Sequence, residues 1–149
     1  MKIHCEWKDG VEFSAQSEKN TVMMDAEPPF GRSAGMNPKE LLLSGVCGCT
    51  GIDVVGLLKK YRQKVETFVI EADAEKTPTG HPAIFTKVQL YFKMTGEIEP
   101  QKALEAVRLS QTKYCGVSAM ISKVVPISYS VEVNGTVVGE GDSCFWPAS

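Results

Sequence analysis

Histidine is nearly absent from this sequence, with two residues in 149, His4 and His81. That scarcity excludes the histidine-rich zinc centres, which draw most of their ligands from imidazole and thiolate. A basic surplus is missing too: 16 Lys and Arg stand against 18 Asp and Glu, for a net charge of -2. With a pI near 5.7 the chain has no electrostatic footprint for nucleic acid or an anionic membrane surface. No G-x-S-x-G, phosphate-cradling glycine loop or H-E-x-x-H is present, so hydrolase and nucleotide readings find no support. The opening MKIHCEWKDG has no basic stretch followed by an apolar one; no secretory signal and a cytoplasmic location are expected. Repeats, linkers and low-complexity stretches are lacking, and one domain over residues 1–149 is expected.

What is present reads as an ordinary globular protein, 43% hydrophobic and 23% charged. A domain of this length buries roughly 70% of its extended-chain surface and needs no disulfides. Its five cysteines (Cys5, Cys47, Cys49, Cys115, Cys144) form no disulfide framework, and in a reducing compartment they are expected as free thiols. A disulfide formed there would be redox-active.

The pattern along the chain is α+β. KIHCEW and VEFSAQ are strand segments around an Asp9-Gly10 turn, and NTVMMDA completes a small antiparallel meander. The Pro/Gly loop EPPFGRSAG carries one arginine, Arg32. Asn37, Pro38 and Glu40 then have the spacing of an N-cap, a first helical residue and a capping-box acid. The helix ends near Lys59-Lys60-Tyr61-Arg62, a solvated, basic C-terminus. Phe68, Ile70, Ala72 and Ala74 alternate with polar residues, as do Val88, Leu90, Phe92 and Met94, giving two half-buried strands. His81 belongs to the turn between them. Pro100 opens a second helix through QKALEAVRLSQ, VSAMISKV is a short third one, and a strand from Ile127 to Val133 leads to an Asn134-Gly135 hairpin and an irregular tail.

The first helix holds most of the chemistry. Leu41 to Leu58 sits at the lower length limit of a membrane span, but Asp53, Ser44, Thr50 and four glycines speak for burial by the protein's own sheet or by a partner subunit. Gly45, Gly48, Gly51 and Gly56 each cost up to about 1 kcal/mol against alanine, so close packing is expected around them. Cys47 and Cys49 lie about 200° apart around a helix and cannot share one metal ion. Cys49 has Asp53 one turn later on its own face; Cys47 shares a face with Glu40. The competing role for either thiol is that of a small buried hydrophobe. Cys5, alternating with Ile3 and Trp7, is expected in the core, and Cys144 in the tail is expected to be exposed.

The order of these elements, with N-P-K-E-L-L-L-S-G-V-C-G-C-T-G-I-D-V followed by L-S-Q-T-K-Y-C-G-V-S-A-M-I, resembles the OsmC/Ohr family of osmotically inducible and organic-hydroperoxide-resistance proteins. The likeness covers residues 1–133 and is nearest to an OsmC-like branch with the P-K-E-L-L-L…C-T-x-I-D pattern. It implies an OsmC-like α+β fold, with antiparallel sheets around a long central buried helix, and an intertwined homodimer with active sites at the subunit interface. It also implies that Cys49 is the peroxidatic nucleophile, Cys115 the resolving cysteine and Arg32 the cation beside the reactive thiol. Cys47, Glu40 and Asp53 are secondary candidates. Lys39 stands where the well-studied peroxidases have the arginine's glutamate partner, and the second motif reads C-G-V-S where they commonly have C-P-V-S. An unpaired Asp53 would raise the Cys49 pKa, and only pairing with Arg32 or a lysine would make it helpful.

The implied activity is reduction of organic hydroperoxides to alcohols, with a dithiol as reductant and no cofactor or metal. A thiolate attacks the O–O bond, and the resulting sulfenic acid condenses with a second thiol before it over-oxidises. The alternative is a non-enzymatic protein on the same scaffold, a redox sensor or a binder of apolar small molecules, and Lys39 is the residue that favours it.

Overall fold

The computed structural model describes residues 1–146 as two compact units, Met1–Ser44 and Gly45 onward. The first unit is a meander of β1 (His4–Asp9), β2 (Glu12–Gln16) and β3 (Thr21–Met24), paired antiparallel in that order. Gly10 makes the first turn at φ +53°, a left-handed conformation glycine adopts without strain. Ser14 and Asp25 are the buried residues of this unit, and among its described residues no apolar side chain is buried. Cys5, Ile3 and Trp7 are therefore exposed, against the expectation of a core face. They lie on or beside β1, an edge strand with a neighbour on one side only.

Asp25 organises the loop after β3. Its carboxylate accepts from the amides of Ala26 (2.7 Å), Arg32 (3.1 Å) and Ala34 (3.0 Å). These amides, Ala34 foremost, hold the Asp25 carboxyl below the usual aspartate range against the opposing effect of burial. Gly31 packs so tightly on the Ala26 carbonyl and the Asp25 carboxylate that a Cβ there would collide with both.

The start of α1 (Pro38–Lys60) follows the sequence pattern. The Asn37 side chain accepts from the amides of Lys39 and Glu40, both at 3.0 Å, and Glu40 returns the bond by accepting from the Asn37 amide at 2.8 Å. Replacing Asn37 by alanine should cost about 1 kcal/mol, read as a lower denaturation midpoint at unchanged slope.

The second unit contains the rest of α1, then β4 (Lys64–Lys76), β5 (Phe85–Glu97), α2 (Pro100–Leu109), a π-helical turn (Ser110–Tyr114), α3 (Gly116–Ile121), β6 (Ile127–Val133) and β7 (Thr136–Asp142). Its sheet runs β4-β5-β6-β7. β4–β5 and β6–β7 are antiparallel, but β5 and β6 are parallel, so this sheet is mixed where antiparallel sheets were expected. The helices between β5 and β6 supply the crossover that a parallel pair requires. Val88, Leu90, Phe92 and Met94 of β5, with Ile127, Tyr129, Val131 and Val133 of β6, form the core face. Asn134 (φ 51°) and Gly135 (φ 80°) form the expected tight turn.

Helix α1 buries one stripe, Val46, Thr50, Val54 and Leu58, at every fourth residue. The opposite side stays open: Ile52 is 77% exposed, and a Cβ at Gly45, Gly48 or Gly56 would meet nothing within 4 Å. Close packing around these three glycines is thus not found among the described residues. Gly51 alone of the four approaches a neighbour, the side chain of Ile70. Two further differences concern the second half. The stretch T-K-Y, given no element in the sequence reading, belongs to the π-helical turn, and Gly141-Asp142 of the tail, read as irregular, extends β7. The end of that tail, residues 147–149, lies outside the described residues.

Candidate active site

The second unit brings Cys49, Asp53 and Cys115 together, with their sulfur and carboxylate oxygen atoms all within 4.8 Å of one another. Helical spacing puts Cys49 and Asp53 on one face of α1, as the sequence indicates. The π-helical turn delivers the third member. Its wider winding lets the Cys115 amide donate to the Ser110 carbonyl (3.0 Å), and Cys115 then caps α3, its sulfur accepting from the Ser118 amide at 3.4 Å.

The two thiols differ in setting. Cys49 is partly exposed, whereas Cys115 is fully buried. Burial pushes the Cys115 thiol up to about 11, against the Ser118 hydrogen bonding that favours the thiolate and with the Cys49 thiol adding to the rise. Burial therefore disfavours the thiolate form of Cys115, the form that attacks peroxide.

A hydrogen-bonded chain holds the carboxylate. Ser110 Oγ donates to Asp53 Oδ2 at 3.1 Å and lies 2.7 Å from Thr50 Oγ1. Gln111 Nε2 donates to Thr50 Oγ1 at 2.8 Å, and Ser143 Oγ donates to Gln111 Oε1 at 2.5 Å. Thr50, Ser110 and Gln111 are fully buried. Asp53 thus has a neutral hydroxyl as partner, and no ion pair of it with Arg32 or a lysine is found among the described residues. Sequence reasoning missed Thr50, Ser110, Gln111 and Ser143. Their signal was a hydroxyl inside the apolar stripe of α1 and a polar Ser-Gln pair just before a cysteine, read there only as helix.

The other candidates lie elsewhere. Cys47, half-buried on α1, is not part of the cluster, and burial raises its thiol pKa. Glu40 is engaged in the N-cap. Arg32, in the first unit, pairs with Glu12 at 2.7 Å and with Asp9 at 3.6 Å, which raises its pKa further. Cys144 is exposed, with its amide tied to the Gln111 carbonyl.

Two free thiols, one partly exposed and one buried, thus lie close to one carboxylate in the second unit of an α+β protein. The chain belongs to the OsmC-like family, whose profile, described as OsmC-like protein, matches residues 31–130. It is 33% identical over 135 residues to protein YhfA of Escherichia coli K12, an alignment covering 89% of this chain and 98% of that one. Among solved structures, a hypothetical protein from Aquifex aeolicus VF5 superposes with a TM-score of 0.81 at 28% identity, covering 89% of this chain and 95% of its own. An organic hydroperoxide resistance protein OsmC from Legionella pneumophila shares the fold with a TM-score of 0.68 at 16% identity, covering 89% and 98% of the two chains.

Proposed function

We propose that the protein is a cysteine-based peroxidase that reduces organic hydroperoxides to alcohols in oxidative stress defence. The observation that carries this reading is the asymmetric thiol pair, an accessible Cys49 beside a buried Cys115. The Cys49 thiolate attacks the terminal oxygen of ROOH. The O–O bond breaks, sulfur is oxidised to the sulfenic acid, and the leaving alkoxide takes a proton to become ROH. The Cys115 sulfur then displaces the sulfenic hydroxyl as water, forming the Cys49–Cys115 disulfide. A dithiol reductant returns both cysteines to thiols by exchange. Cytoplasmic location agrees with the reducing pool this cycle requires.

Arg32 enters as the cation that favours the Cys49 thiolate. Within the first unit its guanidinium is paired with Glu12 and Asp9. Arg32→Gln should slow hydroperoxide reduction about tenfold, measured as the pseudo-first-order rate of Cys49 oxidation. An unchanged rate would assign Arg32 to the Glu12 and Asp9 pairs alone.

The open side of α1 fits a second copy of the chain. Gly48, Gly51, Ile52, Val55, Gly56 and Lys59 line a shallow apolar groove, and its glycines allow another helix to approach closely. A homodimer through this face would supply the close packing that Gly48 and Gly56 lack among the described residues. Ile52→Glu should convert the dimer to monomer, measured by sedimentation equilibrium. A wild-type protein that sediments as a monomer would refute this interface.

The test of activity is steady-state turnover. With cumene hydroperoxide and a dithiol, many equivalents of cumyl alcohol per chain support the peroxidase. A second reading, a redox sensor using the same disulfide, is favoured by Asp53, a carboxylate beside Cys49 whose partner is a hydroxyl and not a cation. It predicts one alcohol per chain and no recycling.

A further inference from the structure

We infer that the reduced protein has a binding site for one soft divalent cation of the zinc type, formed by Cys49, Asp53 and Cys115. Cys47 and Cys49 cannot share an ion by their spacing, and the fold supplies Cys115 and Asp53 in place of Cys47. One ligand atom from each of the three lies within 4.8 Å of the others. Zinc–sulfur bonds near 2.3 Å and a zinc–oxygen bond near 2.1 Å place tetrahedral ligand atoms about 3.5–3.8 Å apart. The cluster therefore closes around an ion with movements of about 1 Å, within the reach of side-chain rotation.

The surroundings are those of a ligand set. Ser110 donates to Asp53 Oδ2, fixing the carboxylate through the chain to Thr50 and Gln111 and leaving its remaining lone pairs for the ion. A second observation comes from the other side. Ser118 is fully buried, and its hydroxyl oxygen makes no well-formed hydrogen bond among the described residues. That hydroxyl stands beside the Cys115 sulfur, where the Ser118 amide already donates, and an ionised sulfur would take it up as a second donor. Binding replaces two S–H bonds with metal–sulfur bonds and releases two protons to solvent. Two thiolates and one carboxylate leave the fourth position to water on the exposed, Cys49 side. Thiolate ligands favour zinc over magnesium or calcium, which take oxygen.

This site does not depend on peroxidase activity, and its assay contains no peroxide. The reduced protein is titrated with Co²⁺ under anaerobic conditions. Thiolate-to-cobalt charge transfer and tetrahedral d–d absorption should saturate at one ion per chain and disappear when Zn²⁺ is added. Cys49→Ser and Cys115→Ser should each abolish tetrahedral binding, Asp53→Asn should weaken it about tenfold to a hundredfold, and Cys47→Ser should leave it intact. Prior oxidation to the Cys49–Cys115 disulfide should remove the site, because neither sulfur is then a thiolate. No thiolate band in the wild-type protein would overturn the inference. So would a band that survives Cys115→Ser, with folding verified by circular dichroism, or one lost in Cys47→Ser.

Discussion

Cys49→Ser should lose reaction with organic hydroperoxide altogether, a fall of about three orders of magnitude or more, because a hydroxyl at neutral pH offers neither the ionised fraction nor the nucleophilicity of a thiolate. The variant should fold. Cys49 is only partly buried, and serine is nearly isosteric with it. The measurement is the rate of alcohol formation in a single turnover. Retained activity in Cys49→Ser with loss in Cys47→Ser would move the chemistry to the other thiol of α1, whose burial already raises its pKa.

Cys115→Ser should separate the two halves of the cycle. Its first equivalent of hydroperoxide should be reduced at a rate within about threefold of wild type, since Cys49 carries the attack in the proposed cycle. Recycling by dithiol should then fail to outpace over-oxidation. With excess hydroperoxide the sulfenic acid lacks its proposed resolving partner, and Cys49 should proceed to sulfinic acid, a gain of two oxygens on the Cys49 peptide. Wild type under the same conditions should stop at the disulfide. The buried position of Cys115 and its raised pKa, about 11, agree with the proposed division of labour. A thiol held protonated is slow to attack peroxide. It can still resolve a sulfenic acid that is brought against it.

The local pattern was legible wherever a single element determined it. Asn37, Pro38 and Glu40 specify the α1 cap by chain-local hydrogen bonds, and Asn134-Gly135 specifies its hairpin by backbone conformation. Alternation in β4 and β5 was legible because one face of that pair meets the core. Cys49 with Asp53 was legible as a helical face. What depended on tertiary context was not. The alternation of Ile3, Cys5 and Trp7 has the form of a core strand, yet β1 is an edge with all six residues exposed. Nor does sequence periodicity reveal a π-helical turn, since the Ser110–Tyr114 insertion changes which face Cys115 reaches without leaving a Gly or Pro to mark it. The Ser110, Thr50 and Gln111 chain, drawn from two helical segments far apart in sequence, exists only once they pack.

The account turns on the pairing of Cys49 with Cys115. The most direct test treats fully reduced protein with one equivalent of cumene hydroperoxide, quenches by alkylation and maps peptides by mass spectrometry. A Cys49–Cys115 disulfide formed together with one equivalent of cumyl alcohol is the predicted result. Alkylated, unoxidised Cys49, or a disulfide joining Cys49 to Cys47 or Cys144 instead, would contradict it.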